Sequence, residues 1–344
     1  MAVPGQNRML LGMERLHKML LYPILGIIAL SLGLMACVFG MDNVLFDGQD
    51  NGDVYYQNYS ISLLGDSEKS KTIKYGFELF QHTPKYLGPD SKNPYAGNHL
   101  SCNNCHLLSG TKPYAAPLIG ITKRFPQFRN RENKMGSLEE RINGCMQRSM
   151  NGTALPEDSN EMKAFVAYLE WLGRYAPSDG KIEGQGFVSI QIPNRPVNLE
   201  NGKNIFAKQC AECHGNDGQG KLALDGQIYQ YPPLWGEDSY NNGAGMTRVI
   251  TAASFIKGNM PYGTTYKNPI LTDAEAYDVA GFINQQERPK KKNLEEDFPN
   301  LKKKPVSTPY GPYVDSFSLV QHQLGPFQPI MEYYKKEFNL IKNK

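Results

Sequence analysis

Cys102-Asn103-Asn104-Cys105-His106 and Cys210-Ala211-Glu212-Cys213-His214 decide how this chain folds. Each pentad supplies two thiols that can form thioether bonds to haem vinyl groups, and a histidine placed to bind the iron. A zinc knuckle shares the first four letters but needs a second cysteine or histidine pair for each metal. A redox-active C-x-x-C does not require the trailing histidine. Neither alternative explains two such pentads in a chain with six cysteines. The pentads therefore predict two covalently bound haem c groups, attached through Cys102, Cys105, Cys210 and Cys213, with His106 and His214 as iron ligands.

Outward from the pentads, the two halves repeat one plan. In the first, a helical stretch around Lys74–Tyr86 precedes the pentad, Pro117-Leu118 follows it, and an amphipathic helix near Asn160–Arg174 closes the unit. In the second, Leu199–Gln209 leads into the pentad, Pro232-Pro233-Leu234-Trp235 follows, and a helix near Asp273–Glu287 closes it. Phe165, Tyr168, Leu169 and Leu172 share one helical face, as do Ala276, Val279, Ala280 and Ile283; both stripes predict core packing. The carbonyls beside the prolines can accept a bond from the histidine's second nitrogen, which would fix the ring. A plain turn is the competing reading. The expected fold is mainly α, with two cytochrome c-type haem domains in tandem, long loops and an extended C-terminal strap. The domains are read as 42–180 and 197–289, joined by a Gly/Pro-rich linker at 181–196. The tail, 290–344, is Lys- and Pro-rich at first and then aromatic; it is expected to be extended, with little regular structure.

At 344 residues the chain can hold two small cores, and only 40% of it is hydrophobic, which suits domains whose core is partly haem. A net charge of +3 is weak and dispersed, so no nucleic-acid partner is expected. Residues 1–41 read as a targeting or anchoring segment. Arg8, Arg15 and Lys18 precede an uncharged run from Met19 to Met41, long enough to span a bilayer. Leu34-Met35-Ala36-Cys37 also resembles a lipoprotein cleavage box. Uncleaved anchor, lipoprotein and plain cleaved signal all stay open. Covalent haem and C-x-x-C thiols point to the periplasm, and the first two leader readings tether the protein to the inner membrane.

Each iron needs a second axial ligand. For the second haem, Met260 in Asn259-Met260-Pro261 is the candidate, with Met246 as its rival. The first unit holds Met135, Met146, Met150 and Met162, none followed by proline. It also holds Cys145, the thiol left over once four cysteines carry haem and Cys37 lies in the leader. An unpaired periplasmic cysteine risks oxidation unless it has a task, although a buried inert cysteine is possible. His82 and His99 are competing ligands.

These residues resemble the dihaem thiosulfate dehydrogenases, which also act as tetrathionate reductases. The resemblance covers most of the chain after residue 60. It rests on both pentads, on Arg141-Ile142-Asn143-Gly144-Cys145-Met146-Gln147-Arg148-Ser149-Met150-Asn151-Gly152, on Asn259-Met260-Pro261 and on the Tyr310-Gly311-Pro312-Tyr313 tail. It implies His106/Cys145 ligation at haem one and His214/Met260 at haem two. It also implies an active site of Cys145, Arg131, Arg141 and Ser149. Some relatives carry a lysine just before the haem-two methionine and exchange ligands on reduction; Asn259 stands there in this chain, which implies constant methionine ligation.

The implied reaction joins two thiosulfate dianions into tetrathionate with release of two electrons, or runs in reverse. Arg131 and Arg141 suit sulfonate oxygens, a role the resemblance favours, with haem propionates as the competing partners. A thiolate ligand lowers the potential of haem one and a methionine raises that of haem two, so electrons would leave through haem two to an external c-type cytochrome or another periplasmic redox partner. The main rival is a non-catalytic dihaem electron-transfer cytochrome, which leaves Cys145 and the two arginines without a role.

Overall fold

The computed structural model describes residues 54–56, 59–224 and 226–343. The expected anchor at 1–41, with Cys37, lies outside the described residues. Among the described residues no helix is long and apolar enough to cross a membrane. The chain divides into Met1–Val54 and Tyr55–Lys344, and everything below concerns Tyr55–Lys344, whose two haem units are the first and second units named below.

Among the described residues seven helices of nine or more residues carry the fold: α1 (Glu68–Gln81), α2 (Leu138–Met146), α3 (Asn160–Leu172), α4 (Leu199–Gln209), α5 (Val249–Asn259), α6 (Asp273–Asn284) and α7 (Gln328–Phe338). Their starts are set by side-chain caps that take up orphan amides. Ser67, Ser159 and Asn198 accept from Ser70 N, Met162 N and Asn201 N. Ser137 with Glu140, and Thr272 with Glu275, form reciprocal capping boxes. Two short antiparallel hairpins complete the set: β1 (Gln127–Arg129) with β2 (Lys134–Gly136), and β3 (Lys221–Leu222) with β4 (Tyr229–Tyr231).

The repeat read from the sequence is physical. α1 crosses α3 in the first half, and α4 crosses α6 in the second. Each crossing is closed by a glycine on the leading helix. A Cβ on Gly76 would lie 2.0 Å from the Ala164 carbonyl oxygen, and one on Gly202 would lie 2.2 Å from that of Asp278. Both predicted stripes face these crossings, and all eight of their residues are buried. Each half has its own apolar core around its pentad.

The halves are not independent. Tyr240 and Ala244 belong by sequence to the second half but are buried in the first core, and Met246 packs against both. Asn241 Nδ2 donates to Gln147 O at 2.9 Å, and Asn98 Nδ2 donates to both Ser149 O and Ser239 O. His99 Nδ1 lies 3.0 Å from Asp238. Segment 238–248 is thereby clamped beside Cys145 and Ser149.

The tail is extended over much of its first part, where it touches both halves. Phe298 N donates to Arg131 O at 2.7 Å, and Arg148 Nη2 bonds Asp297 at 2.6 Å. Beyond that it carries regular structure that its composition hides: a short helix, Leu319–Leu324, and then α7. Phe327, Ile330 and Tyr334 are buried in the second core. Pro329 at the start of α7 supplies a pre-set backbone angle, and the i, i+4 pair Ile330/Tyr334 supplies the buried face.

Candidate active site

The first pentad opens on an apolar cavity. Cys102, Cys105 and His106 line it, facing Leu118, Ile121, Leu138, Ile142, Phe165, Leu169 and Tyr240. His106 Nδ1 is 2.7 Å from Ala116 O, the carbonyl just before Pro117. That bond fixes the ring and leaves Nε2 for the cavity. Across from it stands Cys145, whose side chain interacts directly with that of His106. Two thiols, an oriented imidazole and apolar walls of this extent are what a covalently attached haem requires.

The second pentad repeats the arrangement. His214 is buried and its Nδ1 lies 2.8 Å from Pro232 O. Cys210, Leu234, Trp235 and Met260 pack against the same core, and Cys213 closes the pentad's turn by donating its amide to Cys210 O. Both histidines are thus held through the carbonyl at or beside a proline, one of the two possibilities the sequence left open.

The competing ligands fall elsewhere. His82 pairs with Glu78 and His99 with Asp90 and Asp238, and neither lines the haem-one cavity. Met135 is exposed and Met162 is buried in the core. Met146 and Met150 do line the cavity. Met246, the rival at haem two, lines the haem-one cavity instead.

Cys145 also borders a second cavity whose character is opposite. Arg129, Arg131, Arg141, Arg148, Arg248 and Lys303 line it, together with Ser149, Phe128 and Phe298. Arg141, Cys145 and Ser149 are shared by both cavities: the first two stand on α2, and Ser149 on the turn that follows it. Arg141 Nη1 donates to Cys145 Sγ at 2.7 Å. Burial pushes the Cys145 thiol up, but Arg141 and then His106 outweigh it and bring it down to about 6.

The cations are held by few counter-charges. Arg129 Nε pairs with Glu132 at 3.0 Å, and Arg131 and Arg148 share Asp297. Burial pushes the Asp297 carboxyl up, yet these two arginines hold it below the usual carboxylate range. Tyr310 adds hydrogen bonds to Arg131, at 2.8 Å, and to Asp297, at 2.7 Å. Lys303 Nζ sits 4.0 Å from the Phe128 ring centroid. Arg248 is brought down to about 10, by burial first and by the nearby Arg131 second. A cavity lined by six cations and no carboxylate is built for a small, highly charged anion.

All four residues implied to be catalytic, Cys145, Arg131, Arg141 and Ser149, meet at this second cavity. Arg129 and Arg148 meet there too. Arg248, Lys303 and Asp297 had no sequence signal, since each comes from a segment more than ninety residues from Cys145.

Comparison with known proteins agrees with this division. Residues 92–177 match the SoxA/TsdA cytochrome c domain family and residues 199–287 match the cytochrome c family. A thiosulfate dehydrogenase of Stutzerimonas stutzeri is 40% identical over 247 residues, covering 72% of this chain and 77% of that protein. One from Psychrobacter arcticus is 41% identical over 239 residues, 70% of each chain. The solved structure of a thiosulfate dehydrogenase (TsdBA) from Marichromatium purpuratum in its as-isolated form superposes with a TM-score of 0.63 at 35% identity. It covers 68% of this chain and half of that one. The two cytochrome c domains carry two covalently attached haem c groups.

Proposed function

Because this chain belongs to the thiosulfate dehydrogenase family, we propose that it interconverts thiosulfate and tetrathionate, with electrons passing through the second haem to an external c-type cytochrome. The observation that carries this reading is the position of Cys145, shared between an apolar cavity facing His106 and a cationic cavity suited to sulfur oxyanions. An electron-transfer cytochrome has no use for the second cavity.

In this proposal His106 and Cys145 would hold the iron of haem one, and His214 and Met260 that of haem two. Constant methionine ligation is supported by the residues around it. Asn259 Nδ2 is tied to Tyr114 O and Phe255 O, both at 3.0 Å. Lys257, the nearest lysine, bonds Leu271 O at 2.7 Å and Asp273 at 3.0 Å, so it is engaged elsewhere.

Arg141 and Ser149 bind the first thiosulfate beside Cys145. The Cys145 thiolate and the outer sulfur of that thiosulfate form a sulfur–sulfur bond, with loss of two electrons. When bound, the two haems supply the one-electron acceptors for that pair. The outer sulfur of a second thiosulfate then attacks the sulfane sulfur, forming tetrathionate and expelling Cys145 as thiolate. Charge balances at both steps, and the reverse sequence consumes tetrathionate. The cationic wall lowers the repulsion between the two dianions. The proposal also places the enzyme in the periplasm, tethered to the inner membrane through its N-terminal segment.

The test is anaerobic turnover of the purified dihaem protein, with thiosulfate and ferricyanide in one direction and tetrathionate and a reduced viologen in the other. Activity is expected in at least one. Cys145→Ala should abolish it while both haems stay attached. No turnover in either direction, or near-normal turnover by the variant, overturns the reading.

A further inference from the structure

The cationic cavity is assembled from both haem units, and one of its walls has no assigned task. Arg248 belongs to the second unit, immediately before α5. It reaches the cavity because segment 238–248 is clamped onto the first unit through Asn241 and the buried Tyr240 and Ala244. Thr247 Oγ1 donates to Ala244 O at 2.7 Å and stiffens the same turn. A Cβ on Gly245 would lie 3.1 Å from Arg248 Nη2, so the glycine leaves room for the guanidinium to lie over the backbone.

The bonding of Arg248 differs from that of its neighbours. Arg131 and Arg148 have Asp297, Arg129 has Glu132, and Arg141 has Cys145. Among the described residues Arg248 pairs with no carboxylate. Its hydrogen bond to protein is from Nε to Gly245 O at 3.3 Å, which leaves the outer fork uncommitted. A half-buried cation beside other cations is unfavourable unless an anion completes the set. The reaction proposed above brings two dianions together. Arg141 and Ser149 stand beside Cys145 and serve the first, so the second needs a separate partner across the cavity.

We propose that Arg248 binds the second anion: the incoming thiosulfate in oxidation, and the sulfonate of tetrathionate farther from Cys145 in reduction. This rests on the thiosulfate/tetrathionate reading and adds to it that the second haem unit contributes a substrate-binding residue to the first. The planar fork matches two sulfonate oxygens, a pairing that a lysine meets as a point charge only. The bond forms in ground state and transition state alike, so its loss falls on KM more than on kcat.

The experiment compares the full dihaem protein with Arg248→Gln and Arg248→Lys. Arg248→Gln should raise KM for thiosulfate and for tetrathionate roughly tenfold or more, the usual effect of losing a charge-assisted bond, with kcat within about threefold. Arg248→Lys should recover part of the loss. Haem content and both haem potentials should be unchanged, since a propionate partner would move a potential. Calorimetric binding of tetrathionate to the oxidised protein should weaken in parallel. An unchanged KM and binding constant in Arg248→Gln, or a shifted haem potential accompanying the loss, overturns the assignment. If the unmodified protein binds tetrathionate but turns over neither anion, and binding weakens in Arg248→Gln, the reaction fails and the anion site stands.

Discussion

Arg141 and Cys145 stand one helical turn apart on α2, with guanidinium Nη1 2.7 Å from Sγ. The spacing is i, i+4, the one at which helical side chains meet. Arg141 therefore serves two ends: it holds the cysteine as thiolate and it presents positive charge to whatever approaches that sulfur.

Replacing Arg141 by Gln should lower turnover with thiosulfate roughly 10- to 100-fold, as expected when a bond to a charged group is lost. Both haems should remain attached, because Cys102 and Cys105 hold the first haem independently. Steady-state assays with haem quantification check this, and wild-type turnover in the variant would remove Arg141 from the site.

Met260→His should lower the potential of one haem, on the order of a hundred millivolts, and leave the other in place, because thioether ligation favours the reduced iron. A spectroscopic redox titration reads both haems separately. Equal shifts in both, or none, would mean that Met260 does not ligate haem two.

Asp297→Asn should destabilise the protein at neutral pH by about 3–5 kcal/mol, the usual cost of breaking a buried ion pair, since Arg131 and Arg148 lose their shared anion. The sign follows from the lowered pKa. The carboxylate's contribution is complete above the ordinary value of about 4 and is lost only as pH falls through its lower folded value. Thermal melts at pH 7 should therefore separate the variant from the wild type, and melts near pH 2 should bring them together. A gap that widens in acid contradicts the assignment.

Gly202→Ala and Gly76→Ala should each lower Tm by roughly 3–10 °C, because the added methyl meets backbone oxygen at a helix crossing. Gly65→Ala, where a Cβ meets nothing within 4 Å, is the control and should be neutral. Differential scanning calorimetry of the three variants decides it.

Much of this molecule was readable in one dimension because its signals are local. A pentad is a haem-attachment signal wherever it folds, a 3.6-residue stripe marks a buried face, and α4 spans Leu199–Gln209 as read from the sequence. α7 was also within reach, through Pro329 and the Ile330/Tyr334 pair, but the Lys- and Pro-rich stretch before it masks that short pattern. The sequence favoured Met260 over Met246, but that Met246 lines the haem-one cavity is a matter of packing that no local signal records.

Local motifs establish that there are two haems, which residues attach them, and that Cys145 lies one turn from Arg141. They could not determine that Cys145 separates an apolar cavity from a cationic one, nor that Arg248, Lys303 and Asp297 build the second. Those relationships join positions far apart in the chain, and no local periodicity records them. They exist because segment 238–248 and the tail are held against α2 by hydrogen bonds and burial, and contacts of that kind form only when the whole chain has closed.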